Sequence, residues 1–305
     1  MARLLEMEKS ILQTKPRLGN DILYDLCEKM PLGWKGDGIY TAEEALSAQM
    51  WLIGRSYAAS PERRNYHADK AIQLNNSGNG LDTFFDLLAA EMIQHKEYEE
   101  IVQTLISIKG RDPYFSAENA EDYDRETLRL VVKTVLKLNE LIKSARFAVD
   151  KIDLANAVGE EESKLLKETQ SNSLSFCSKF LHFHAPHQVF IMDSLTREHF
   201  KQKNRKEYGF QFSENGEPLD SEISIPKDDA NTLVKNLVDN LPNDLVYTEG
   251  LYEKKQTANK KEVEFIIHCA REYLLAKALH EQANVDYSGQ CIPRMIDTYM
   301  LCANK

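Results

Sequence analysis

The residues of this 305-residue chain with the most capacity for chemistry lie between Ser173 and Ser194. The run Val189-Phe190-Ile191-Met192 is short and apolar, so it is expected to be buried, and it ends on Asp193. A carboxylate at the end of a buried extended run is expensive to desolvate; it persists if it is paired, capping or needed. The plain alternative for Asp193 is an N-cap for a helix over 194–203, a common role for aspartate. The two roles are compatible, since a capping carboxylate can also face a cleft. Upstream, Ser173 has the residue type of an N-cap, and Pro186 ends the helix it would start. On that helix Phe176, Phe180 and Phe183 share one buried face, while Ser175, Lys179 and His182 share another at i, i+4 and i+7. His182, His184 and His187 resemble a metal cluster, but no Cys or Glu completes a ligand set at the usual spacing. Packed or capping histidines are the expectation, with no metal.

A second constellation is Arg55, Tyr57, Arg63 and Arg64. Basic and aromatic residues interleaved at a helix junction suit phosphate contact and base stacking. Their alternative is a salt-bridge network with Glu43, Glu44 or Glu62. The net charge of -10 argues against a protein that coats nucleic acid by bulk charge, but a local basic footprint remains compatible with it. Residues 171–210 carry six basic residues, Arg197 and Lys201 among them, against three acidic ones. The plain reading of both basic stretches is a pair of solvated helix faces.

The elements that must position these groups read as helices nearly throughout. Apolar residues recur at helical spacing over 17–30 and 81–108, over a long stretch from about Arg125 to Ala148, and over 261–283. Thr41 followed by Glu44 reads as a capping box that starts a helix running to Ser56. The segment 160–183 is expected to be helical with an interruption at Ser171-Asn172-Ser173, and Pro293 opens a final helix. Short helices are also expected after Pro61 and Pro226. Residues 207–226 read as a loop or small hairpin. Trp34 and Trp51 read as core residues, with a pocket-lining role for Trp34, beside Gly33 and Gly36, as the alternative. The fold class expected is all-α, and 42% apolar content suffices for one large core or two lobes sharing a cleft. No apolar run approaches the roughly 20 residues that span a bilayer. Residues 1–9 lack a signal peptide's apolar core, and five scattered cysteines form no CxxC pair. A cytoplasmic protein with reduced thiols is the expectation.

The order helix, Ala185-Pro186, apolar run, Asp193 resembles the end of the helix-hairpin-helix DNA glycosylase superfamily. The stretch from Gly54 to Arg64 and the ending Pro293-Arg294-Met295-Ile296-Asp297-Thr298-Tyr299-Met300 are similar to bacterial 8-oxoguanine-DNA-glycosylase-like proteins. That resemblance implies a single unit over 1–305 with two helical lobes around a cleft, acting without a cofactor on double-stranded DNA that carries a modified base. It implies Asp193 and Lys179 as catalytic residues. Ser175, His182, Arg55, Tyr57, Arg63, Arg64, Arg197 and Lys201 would contact substrate or DNA. The family hairpin is usually Leu-Pro-Gly-x-Gly, where this chain has Ser171-Asn172-Ser173-Leu174-Ser175. Lys179 also lies several residues beyond the family's Schiff-base lysine, which leaves lyase activity open.

Such an enzyme flips its base out of the stack, because the glycosidic bond is otherwise unreachable. Asp193 would stabilise the oxocarbenium-like charge and orient water. Lys179 could act instead as nucleophile if burial or a neighbouring cation lowered its pKa from about 10.4. The excised base would be an oxidised purine such as 8-oxoguanine. Glycosylases of anti-phage defence make a bulky cytosine, such as glucosylated hydroxymethylcytosine, an equal option. The competing readings are a non-catalytic nucleic-acid or protein-binding helical module, and a helical nuclease or toxin. Arg63 and His67 are too close for the usual Arg-x4-His spacing of the last class.

Overall fold

The computed structural model describes residues 20–56, 84–116, 120–192, 209–210, 223–224, 232–237, 260–282, 287 and 291–302. Helices dominate these residues: α1 Asn20–Lys29, α2 Ala42–Ser56, α3 Phe84–Gln94, α4 Lys96–Lys109, α5 Ala120–Asn156, α6 Glu160–Thr169, α7 Leu174–His184, α8 Lys260–Gln282 and α9 Ile292–Cys302. A further helical stretch covers 232–237. The strands described are the antiparallel pair β1 Gly209–Phe210 and β2 Ile223–Ser224, with Gly209 opposite Ser224. The all-helical class expected from periodicity is therefore observed. Among the described residues no helix is long and apolar enough to cross a membrane.

Local chemistry explains the helix starts. Thr41 Oγ1 accepts the Glu44 amide at 3.1 Å while Glu44 Oε2 accepts the Thr41 amide at 2.7 Å, the reciprocal capping box expected for α2. Glu121 and Asp122 lie in the first turn of α5, where carboxylates complement the helix dipole. That helix is longer than the apolar stretch suggested, because its charged ends continue it past the periodic core. The single apolar run at 81–108 is two helices, α3 and α4, broken at His95. The Tyr98 amide donates to the His95 carbonyl at 3.0 Å, which starts the second helix.

The chain separates into two compact units. Among the described residues, one takes Ser107–Lys133 and those within Ala185–Lys305; the other takes Gly19–Ile106 and Thr134–His184. In the second unit α2 packs on α3, and α7 packs on both α1 and α2. Phe84, Phe85, Met50, Ile53 and Phe180 are among its buried side chains. Each contributes about 1.5–3 kcal/mol of apolar burial. Trp51, expected in the core, is instead 46% exposed, because α2 turns that side away from its helix partners. In the first unit α8 packs on α9 and on β2, around Tyr114, Phe190, Phe265 and Tyr273.

The turn between α1 and α2 depends on a glycine. Gly33 sits at φ +86°, and a Cβ added there would lie 2.4 Å from Val102 Cγ1. Gly33→Ala is expected to lower stability by about 2–3 kcal/mol, through left-handed strain plus the clash with α4. Urea denaturation checks this; a loss under 0.5 kcal/mol would show that the turn relaxes.

Candidate functional site

The loop before α7 is held by two buried side chains of α5. The Arg146 guanidinium donates to Ser171 Oγ at 3.0 Å, to the Ser171 carbonyl at 2.6 Å and to Ser173 Oγ at 2.9 Å. Asn139 donates to Asn172 Oδ1 at 2.9 Å and accepts the Ser173 amide at 2.7 Å. These side chains hold the loop, and the Ser173 amide is committed within the protein. Burial lowers the Arg146 pKa from its ordinary value, against the opposing effect of Cys177 and Asp150. The same burial pushes the Cys177 thiol far up, so it is an inert packing group rather than a nucleophile.

Helix α7 is covered on nearly every side, with Leu174 and all of 176–184 buried. The polar face expected for Ser175, Lys179 and His182 is therefore not a solvent face. Ser175 is half-buried, and its carbonyl accepts the Ser178 hydroxyl at 3.2 Å. Lys179 is 4% exposed. His182 is fully buried and shares a 2.7 Å hydrogen bond between its Nε2 and the Tyr24 hydroxyl of α1. Its ring also meets Tyr24 and Phe183 edge-on, each at 5.8 Å. His184 packs edge-on against Phe180 at 4.9 Å, and His187 is exposed.

Beyond α7 the chain enters the first unit, and there the run toward Asp193 is tied at both ends. Cys291 Sγ donates to the Pro186 carbonyl at 2.9 Å, and the Tyr114 hydroxyl donates to the Gln188 carbonyl at 2.8 Å. The Gln188 side chain in turn donates to the Arg111 carbonyl at 2.8 Å. Arg111 is fixed by Thr127 at 2.9 Å and lies 4.8 Å over the Tyr123 ring. Phe190 stacks on Tyr114 with centroids 5.3 Å apart. At the far end, His268 Nε2 lies 3.1 Å from the Ile191 carbonyl. Val189 through Met192 are all buried, as the apolar pattern implied.

Asp193, Tyr57, Arg63, Arg64, Arg197 and Lys201 lie outside the described residues. Arg55 belongs to α2, but its side chain is likewise outside them. Of the expected site, Ser175, Lys179 and His182 are brought together on α7.

Sequence reading missed two polar clusters of the first unit. His268, Arg271 and Glu272 are buried on α8, with His268 Nε2 3.2 Å from Glu272 Oε1. Asp124, also buried, accepts the Phe115 amide at 3.1 Å. Phe115 has a positive φ of 64°, unusual for a bulky residue, and its ring stacks within 5.5 Å of Tyr273 and His280. Burial pushes the Asp124 carboxyl up to about 6, with Glu121 adding to the rise and the Phe115 amide, His280 and Lys277 opposing it. The i, i+4 spacing of His268 and Glu272 is visible in the sequence, but on a helix it signals a solvated pair as readily as a buried one. The chain matches no family model, no curated protein and no solved structure.

Proposed function

We propose that this chain is a DNA glycosylase that flips out a modified base and cleaves its N-glycosidic bond. The observation that supports the reading is the buried run Val189–Met192, tied at the Ile191 carbonyl and just before its start at Pro186 and Gln188, which leads directly into Asp193 in the chain. Such a rigid lead-in suits a carboxylate that must be held against a reacting sugar. In the reaction, the carbon–nitrogen bond breaks and the base leaves with the bonding electrons, taking up a proton. Water adds its oxygen to C1′ and gives a proton to Asp193. The carboxylate stabilises the sugar's developing positive charge. Lys179 is 4% exposed on a helix whose residues 176–184 are all buried, so a sugar carbon cannot reach its amine, and hydrolysis by water is favoured over a Schiff base. Arg55, Tyr57, Arg63, Arg64, Arg197 and Lys201 are proposed to contact DNA.

The test is incubation of wild type and Asp193→Asn with 8-oxoguanine duplex and with glucosylated phage DNA, followed by alkaline cleavage. Breaks with wild type alone are expected, and borohydride should trap no protein–DNA adduct. The DNA that breaks names the base. Equal breakage by Asp193→Asn would remove the carboxylate from the chemistry. The second reading is a non-catalytic nucleic-acid or protein-binding helical module, favoured by the net charge of -10. It expects binding without breaks on either DNA.

A further inference from the structure

We propose that the turn over 36–41 is a docking site for a partner protein, and that its occupant is a lysine- or arginine-rich segment carrying an apolar side chain. The inference is independent of the glycosylase reading. Among the described residues, Ile39 and Tyr40 are the large apolar side chains exposed at consecutive positions, at 79% and 53%. Apolar residues exposed singly need no account, but this pair sits on a turn built to hold its shape. Asp37 Oδ1 accepts the Ile39 amide and the Tyr40 amide, each at 2.9 Å, and the Asp37 amide donates to the Tyr40 carbonyl at 3.4 Å. Gly36 has a φ of +95°, and a Cβ added there would lie 2.8 Å from the Tyr40 carbonyl oxygen. A turn fixed in advance loses little conformational freedom on binding, and tyrosine is among the residues that dominate interface energies.

The charges around the pair select the occupant. Residues 30–46 carry one basic residue, Lys35, against Asp37, Glu43 and Glu44. Lys35 is already engaged by Glu99 of α4 at 3.6 Å. The Tyr40 and Ile39 amides hold the Asp37 carboxyl below its usual range, so it stays an anion. The Tyr98 hydroxyl accepts the Gly33 amide at 3.2 Å at the base of the turn. Its pKa is pushed up to about 12, chiefly by burial, with Glu99 and Glu43 adding to the rise against the Gly33 amide. Carboxylates from the turn itself, from the first turn of α2 and from α4 thus gather about the apolar pair. Such a rim repels DNA and an anionic membrane surface. A second copy would set its own carboxylates against it, since each surface meets itself across a two-fold contact. A basic segment with an apolar residue gains on both counts, covering Ile39 and Tyr40 while its cations face the rim.

The experiment titrates the full chain into labelled short synthetic peptides and reads their anisotropy. One peptide alternates lysine and leucine, one lysine and serine, and one glutamate and leucine. Wild type is compared with Ile39→Ser, Tyr40→Ser, Glu43→Gln and Val158→Ser. Val158, 78% exposed between α5 and α6, controls for apolar exposure elsewhere. The lysine–leucine peptide is expected to bind, and each of the other two to bind at least about tenfold more weakly. Ile39→Ser and Tyr40→Ser should each weaken binding by about tenfold. Glu43→Gln should weaken it by about threefold, an effect that high salt removes. Val158→Ser should bind as wild type does. Both side chains of the pair are exposed, so unchanged melting temperatures are expected and separate lost binding from lost folding. No binding of the lysine–leucine peptide overturns the proposal. So does binding that ignores Ile39→Ser and Tyr40→Ser, or that falls equally in Val158→Ser, which would mark diffuse attraction to a chain of net charge -10. Dimers in sedimentation that Ile39→Ser dissolves would put a second copy on the turn, and competition by duplex DNA that depends on Ile39 would put nucleic acid there. Either result overturns the basic partner.

Discussion

Arg146→Ala is expected to destabilise the protein by about 3–5 kcal/mol, the scale for removing one member of a buried charged network. The side chain is 2% exposed and makes three hydrogen bonds to Ser171 and Ser173. Hydrogen bonds from a charged donor contribute about 1.5–3 kcal/mol each, but three on one guanidinium are not additive. The variant leaves two hydroxyls and a carbonyl without their donor, and it leaves a cavity beside α5. Arg146→Lys should recover less than half of the loss, because an ammonium cannot reproduce the planar fork that spans Ser171 and Ser173. Guanidinium denaturation gives the free energy, and amide exchange over 170–178 localises it. A loss below 1 kcal/mol for alanine would mean that the 171–173 loop is held by Asn139 and its own turn instead.

Asp124→Asn should do the opposite and stabilise the protein, in a pH-dependent way. The folded carboxyl titrates at about 6 against an ordinary value of 3.8, chiefly because it is buried. The folded state therefore holds the proton more tightly than the unfolded chain. Below pH 4 both states are protonated and the group costs nothing. As pH rises from about 4 to 6 the unfolded chain ionises first, stability falls, and above about 6 the loss is constant. Its size is about 2–3 kcal/mol. Asparagine keeps an oxygen to accept the Phe115 amide and brings no charge to desolvate. The variant should thus exceed wild type by about 2 kcal/mol at pH 7.5 and match it near pH 4. Urea denaturation at pH 4, 6 and 7.5 checks the whole curve. A variant less stable than wild type at pH 7.5 would mean that the carboxylate charge itself holds Phe115 in its left-handed conformation.

Much of the local architecture could be read from short stretches of chain. The capping box at Thr41 and Glu44, the break at 171–173 and the final helix at Pro293 involve residues within one turn of each other. Backbone hydrogen bonds and side-chain caps act over that same distance, so composition at three- and four-residue spacing is enough. The burial of Val189–Met192 was legible for a related reason, since four consecutive apolar residues have no polar side to turn outward.

The candidate site was legible only in part. Lys179 and His182 read as the polar side of an amphipathic helix, yet α1 and α2 cover that helix and Tyr24 meets His182 across 158 positions. Nothing within a few residues of Lys179 signals that cover. Trp51 failed in the reverse direction, because an aromatic ring in an apolar helix is buried only where a partner helix reaches it.

What the residues dictated unaided was an all-helical chain with its helix starts, its main break and one buried run aimed at an aspartate. Those features follow from propensity, capping and apolar periodicity, which are properties of neighbours in the chain. Which polar groups ended up inside was settled by packing. His268 meets Ile191 across 77 positions, and Arg146 meets Ser171 and Ser173 across 25 and 27. The carboxyl of Asp124 is shifted up because the surrounding helices exclude water from it and bring Glu121 near, against the opposing Phe115 amide, His280 and Lys277. A polar residue carries no local mark of whether distant helices will remove its water, so its chemistry becomes defined only when the chain has closed around it.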